Sequence, residues 1–354
     1  MPINEKLINI ETRRNVVLER LKSGEVKKFD ALLLQLARDI RERLQRGDLT
    51  EYSRARQTSL IASVRELMSE GLTAATAQAV EGMLAIAKQE AIFEGTALSS
   101  VVVDFKAVVP SAAAIVAAVT TAPLSVRGAD GGKLLKPWMK GWSEFNSDAV
   151  ASSIRQGFFE GATNQQMTSK IVGTLSSQYR DGDFARIQRS AQALVRTGVQ
   201  HVAMTARAET LKENGVDKYE WLSTLDGRTS DQCQSLSGQQ FEFGKGPLPP
   251  IHVNCRSSVT GILDSSFDVL KEGATQSSMN GPVDADLSYY DWLKTQGKEF
   301  QDDVALGPTW GKLFRDGGLN ADEFARLRLG KDFAPLSLAD AERLNPLVFA
   351  RAGL

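Results

Sequence analysis

Cysteine is almost missing from this chain, with only Cys233 and Cys255 in a length of 354 residues. Two cysteines cannot staple a fold of this size, which excludes a disulfide-built scaffold and agrees with a reducing compartment. Aromatic residues make up 7%, so a thick core filled by rings is excluded, and the wealth of Ala, Ser and Gly favours thin helices instead. The formal net charge is −1, so the molecule as a whole has no electrostatic pull toward nucleic acid or a membrane surface. Its first residues, MPINEKLINIETRRN, are polar and lack an apolar signal core, so nothing marks the chain for secretion. A glycine-rich phosphate loop, a Ser-His-Asp set, an HExxH pair and the kinase motifs are missing too, which disfavours a hydrolase or a transferase.

What remains is ordinary globular composition, 42% apolar and 24% charged, in a chain long enough for two or three domains. Charge is spread unevenly: residues 1–60 hold 13 Lys/Arg against 9 Asp/Glu, whereas residues 264–304 hold 3 against 9. Two solvated faces account for this, and oriented docking between unlike surfaces is the alternative. Residues 107–126, AVVPSAAAIVAAVTTAPLSV, are uncharged over nearly a bilayer's width. Alanine contributes little to insertion, and Pro110 and Pro123 stand near the ends, so a buried or interfacial helix of about a dozen residues is expected.

Hydrophobic periodicity predicts a mainly α protein with a small α+β domain. Four helices are expected first, with stripes through Leu7–Leu21, Phe29–Leu44, Leu60–Met68 and Val80–Ala91. Gly24, Gly47 and Gly71 supply their stops, and Asp48 or Thr50 caps the third. They form a bundle or long helical hairpins, and their narrow stripes leave room for a second copy to complete the core. A glycine-rich loop at 126–132 marks a hinge or internal boundary. Trp138 and Trp142 share one helical face. Helices punctuated by glycine follow, with a capping box at Thr163 and Gln166, then a long helix over about 183–213 stopped by Asn214-Gly215. At residues 218–225 the period changes to two, and Asp226-Gly227 reads as a hairpin turn leading to strands at 239–243 and 257–263. The expected organisation is a helical region at 1–126, a helix-plus-β-hairpin domain at 133–264, a polar linker at 265–288 and a helical tail at 289–354. In the tail, Asn320 and Glu323 form a second capping box, and the last helix, begun at Ser337, breaks at Pro346.

The stretch 221–256 holds both cysteines, one of the two histidines and a dense run of turn residues. Cys233, His252 and Cys255 are a thiolate–imidazole set suited to zinc, one short of the usual four ligands of a structural site. An open fourth position would suit a catalytic water. Two reduced thiols, or a loop-closing disulfide outside the cell, are the other readings. Asp226 and Arg228 have roles available in the turn, and Arg256 is expected to pin the loop through a carboxylate such as Asp226.

These residues carry a resemblance. The pattern W-x4-D-x-R-T-x3-C-x2-L-x-G followed by P-P-x-H-x-N-C-R runs through Trp221, Asp226, Arg228, Thr229, Cys233, Leu236, Gly238, Pro249, Pro250, His252, Asn254, Cys255 and Arg256. It resembles the C-terminal domain of bacteriophage minor head proteins of the Mu protein F type, known as head morphogenesis proteins. Arg196-Thr197, and Tyr290, Leu293 and Gln296 with Leu306-Gly307, extend the likeness over about 145–354. Members often have cysteine where this chain has Ser230 and Ser257, and glutamate where it has Gly198; the two serines remove possible metal ligands.

The resemblance implies a virion component, not an enzyme, that binds the phage portal protein inside the head and assists head assembly, DNA packaging or DNA ejection. Major capsid or scaffolding protein and packaged double-stranded DNA are further implied partners, with the host cytoplasm its place during assembly and membrane contact limited to ejection. A competing expectation is a metal-dependent nuclease or toxin-like effector, since such domains also occur in secreted toxin polypeptides; it would use zinc at Cys233, His252 and Cys255. A third is DNA binding by the basic N-terminal helices, with no particular residues singled out.

Overall fold

Two long helices open the fold in a computed structural model that describes residues 5–46, 54–174, 176–177, 181–263, 275–284, 287–330 and 332–354. Helix α1 (Glu5–Gln45) and helix α2 (Arg54–Val101) replace the four expected helices, which corrects the stops read at Gly24 and Gly71. An internal glycine costs about 1 kcal/mol of helix propensity, which tertiary packing readily outweighs. Gly71 serves that packing: a Cβ there would meet Leu36 Cδ1 at 2.7 Å, so its bareness lets α1 and α2 approach. Gly24 has nothing near it, and the helix runs through it. Of the two expected outcomes, bundle or long hairpins, the chain adopts long helices packed side by side. Gly47 and the proposed caps Asp48 and Thr50 lie outside the described residues.

Helix α3 (Ala112–Thr121) is the expected short apolar helix, capped by the Ser111 side chain and burying Ile115 and Val119. Among the described residues no helix is long and apolar enough to cross a membrane. Helix α4 (Leu135–Phe159) buries Trp138, while Trp142 meets the edge of Phe29 at 5.6 Å and donates its indole N–H to Ser190 Oγ at 3.0 Å. Helix α5 (Asn164–Val172) begins with the Thr163–Gln166 capping box, and helix α6 (Asp183–Glu213) ends where Asn214 and Gly215 stop it. The glycine-rich loop before α4 is fastened rather than free, since Arg127 N–H donates to Ile251 O at 3.1 Å.

After α6 come β1 (Lys218–Leu222), α7 (Asp231–Leu236), β2 (Gln240–Glu242) and β3 (Ser258–Gly261). The three strands form an antiparallel sheet in the order β2-β1-β3, with Tyr219 opposite both Phe241 and Gly261. The tight hairpin read at Asp226-Gly227 is therefore corrected. β1 and β2 do pair, but α7 stands between them in the chain, because Ser230 caps a helix there by accepting from Cys233 N–H. A tight hairpin occurs instead within the expected linker, formed by β4 (Thr275–Ser278) and β5 (Gly281–Asp284). Residues 265–274 and 285–286 of that linker lie outside the described residues.

The tail comprises α8 (Tyr289–Lys294), a π-helical turn (Phe300–Leu306), α9 (Pro308–Asp316), α10 (Ala321–Arg328), α11 (Leu338–Leu344) and α12 (Pro346–Ala352). The Asn320–Glu323 capping box starts α10, and Pro346 separates the last two helices. Tyr289, Tyr290, Trp292, Phe314, Phe324 and Phe349 gather here with Leu225 into a core of their own. A larger core runs without a break from Leu33 on α1 and Met68 on α2 through Val199 on α6 to Trp221, Cys233, Cys255 and Val259. The sheet domain and the N-terminal helices thus bury each other.

Candidate functional site

The loops on either side of α7 are tied together by the residues that stood out in the sequence. Arg256 reaches Asp226 as a two-pronged fork, Nη1 to Oδ2 at 2.7 Å and Nη2 to Oδ1 at 2.7 Å. Burial alone would raise the Asp226 pKa, but the fork and the Arg228 backbone N–H, 2.9 Å from Oδ1, hold it below the usual carboxylate value. Arg228 itself points outward, its guanidinium 3.6 Å from the same carboxylate. Trp221 is fully buried and donates its indole N–H to Ser223 Oγ at 3.1 Å.

The prolyl loop is built as tightly. The Pro249–Pro250 peptide bond is cis, both rings are buried, and Tyr219 OH donates to Pro247 O at 2.7 Å. Asn254 sits at φ +60°, in the left-handed region that asparagine tolerates better than most residues, and donates its backbone N–H to Thr197 Oγ1 at 3.0 Å. Thr197 belongs to the Arg-Thr pair on α6, so two separated parts of the pattern meet at one hydrogen bond. Gly198, the departure beside them, is filled from outside: a Cβ would come 2.6 Å from Met83 Cε on α2.

Cys233 on α7 and His252 and Cys255 on the prolyl loop converge. The two sulfurs are 3.8 Å apart, and His252 Nε2 lies 3.2 Å from Cys233 Sγ and 2.8 Å from Ser230 Oγ. Nδ1 lies 2.9 Å from Val253 O; a carbonyl only accepts, so Nδ1 carries a proton. Both cysteines are buried and free. Burial raises the Cys233 pKa, an effect strengthened by its neighbour. At Cys255 burial pushes the same way, but hydrogen bonds from the Cys233 thiol and the His252 ring prevail and hold it well below the usual thiol range. Burial would lower the His252 pKa; the Cys255 sulfur reverses that and raises it. The cavity beside the three residues, lined by Thr224, Arg228, Ser230, Asn254 and Ser257, has a volume of about 10 Å³. That is room for one ion or one water, not for a substrate.

Sequence reasoning missed a second polar centre, behind the sheet. Arg207 of α6 is fully buried among three buried glutamates: Glu11 Oε2 is 2.6 Å from Nη1, Glu94 Oε2 is 3.4 Å from Nε, and Glu90 bonds Nη2. Arg207 Nη1 also donates to Val259 O at 2.9 Å, and Arg14 Nε lies 2.8 Å from Glu90 Oε2. Three carboxylates face two guanidiniums. Desolvation raises the pKa of Glu11, and at Glu94 desolvation and the neighbouring Glu11 charge together raise it well above the usual carboxylate value. The only clue in the sequence is that Glu90 and Glu94 stand one helical turn apart. A second buried arginine, Arg328 of α10, binds Asp231 at 2.7 Å, Gln234 at 3.2 Å and Tyr290 OH at 3.3 Å, fastening the tail to α7.

These features define a class: a helical scaffold bearing a small sheet domain whose distinctive residues brace loops. Residues 148–260 match the family model described as Phage Mu protein F like protein. That segment is similar to the Mu protein F type of phage head morphogenesis proteins, and the match covers this part of the chain alone. No curated protein and no solved structure matches the chain.

Proposed function

We propose that this protein is a minor head component that binds the portal protein at the portal vertex inside the capsid and assists head assembly, DNA packaging or DNA ejection. The observation that carries the reading is the Mu F-like match over a domain whose matched polar residues, Asp226, Asn254, Arg256 and Thr197, are spent on bracing the fold. Contact surface is available elsewhere. Phe145 and Phe159 are 70% and 92% exposed, about four turns apart along α4, and such side chains favour docking over solvation. Capsid or scaffolding protein and packaged DNA are further partners on this reading, met in the host cytoplasm during assembly and in the virion afterwards. The reading is tested by tagging the chain and co-expressing it with the portal protein of the same phage, and by deleting its gene. Co-purification, together with particles defective in head assembly or DNA delivery, is expected; normal infectious particles from the deletion would refute it.

A further inference from the structure

We propose that Cys233, His252 and Cys255 form a structural zinc site that clips α7 to the prolyl loop, with the Ser230 hydroxyl or one water as its fourth ligand. The three ligand atoms already lie within 4.8 Å of one another. With Zn–S bonds of about 2.3 Å, two thiolates on a tetrahedral ion stand about 3.8 Å apart. The two sulfurs are separated by 3.8 Å, whereas a disulfide would need about 2.05 Å. A sulfur and an imidazole nitrogen on the same ion stand about 3.5 Å apart, close to the 3.2 Å between Cys233 Sγ and His252 Nε2.

The surroundings suit an ion as well as the distances do. Because Nδ1–H is committed to Val253 O at 2.9 Å, a ring that has given up its Nε2 proton presents that lone pair to the sulfurs, the orientation that a carbonyl behind the ring imposes on metal-bound histidine. Ser230 Oγ, 2.8 Å from Nε2, is fixed from behind by the Cys233 N–H and faces the same point. One divalent cation with two thiolates and a neutral imidazole is uncharged overall, which a site with both sulfurs buried favours. Binding releases to solvent whatever protons the two sulfurs and the ring Nε2 still hold. The cavity of about 10 Å³ admits the ion or a water but no substrate, so the role is a clip and not a reaction centre.

Both cysteines stand in the core, and their removal risks the fold; Ser230 and the half-buried His252 therefore carry the test. The full chain, purified under reducing conditions, is titrated with Zn²⁺ against a chromophoric chelator and with Co²⁺ by absorption. One ion per chain is expected, together with the intense visible bands of tetrahedral cobalt and a sulfur-to-cobalt charge-transfer band. His252→Ala should weaken binding by at least about 10-fold, the lower bound for disturbing such a site. Ser230→Cys should tighten binding by a similar factor and strengthen the charge-transfer band through a third sulfur. The weak spectrum of six-coordinate cobalt, affinity unmoved by both variants, or a Cys233–Cys255 disulfide that forms in the presence of zinc would overturn the proposal.

Discussion

Replacing Arg207 by methionine removes the charge on which the buried centre between α1, α2 and α6 depends. In the intact protein Arg207 and Arg14 offset the charge of Glu11 and Glu90, while burial raises the Glu94 pKa and so favours its neutral form. Arg207→Met leaves one buried negative charge without a counter-ion. Removing one partner of a buried pair costs about 3–5 kcal/mol. The escape route gives a second measure of the same cost. If Glu11, with an ordinary pKa of 4.5, takes up a proton to become neutral, the cost at ~1.36 kcal/mol per unit is about 3.4 kcal/mol at pH 7 but only about 0.7 kcal/mol at pH 5. The deficit against wild type, measured by urea unfolding followed by circular dichroism, should therefore be about 3–4 kcal/mol at pH 7 and shrink to about 1 kcal/mol at pH 5. The double variant Arg207→Met, Glu11→Gln is neutral again and should recover most of the loss at pH 7. A deficit that is the same at both pH values, or one that Glu11→Gln leaves untouched, would show that the arginine acts through packing and not through charge.

Two further perturbations read other parts of the fold. Burial lowers the His201 pKa from 6.5 to about 4. The unfolded chain then binds the extra proton between those values, so stability is lost as pH falls from 6.5 toward 4, by roughly 3 kcal/mol in all. Across that window wild type should weaken relative to His201→Gln, and a pH-independent difference between the two would count against the assignment. Arg256→Lys keeps the charge but loses one prong of the fork to Asp226, a partly buried pair with about a fifth of each side chain exposed. It should cost about 1–2 kcal/mol and raise hydrogen exchange at the Arg228 amide, whereas unchanged exchange would mean that the loop is held by other contacts.

Much of this fold could be read in advance wherever local chemistry decides it. Helix α6 was legible because its apolar stripe and the Asn214-Gly215 stop agree, and the capping boxes at Thr163 and Asn320 were legible because each needs only four residues. Gly24 and Gly71 misled because a glycine marks a helix end and a close helix crossing with the same letter, and only the position of Leu36 tells them apart at Gly71. The turn at Asp226-Gly227 misled for a related reason. The local pattern fits a hairpin, but Ser230 three residues on caps α7 and the partner strand lies beyond it. The meeting of Cys233, His252 and Cys255 in space was legible from their spacing, while the fork from Arg256 to Asp226 followed from the need of a planar cation for a carboxylate. The centre at Arg207 was not legible, since its partners come from helices far apart in the chain and no spacing rule links them.

That centre also separates kinship from cooperativity. The Mu F-like match spans residues 148–260 and includes Arg207, yet Glu11, Glu90 and Glu94 all lie outside it. A fragment cut at the limits of the match would keep a buried cation, lose every carboxylate that neutralises it, and expose the face of α6 that α1 and α2 cover. The recognisable module is therefore smaller than the folding unit. Any recombination that exchanges the N-terminal helices between relatives must carry those three carboxylates with it, or give up the arginine at the same step.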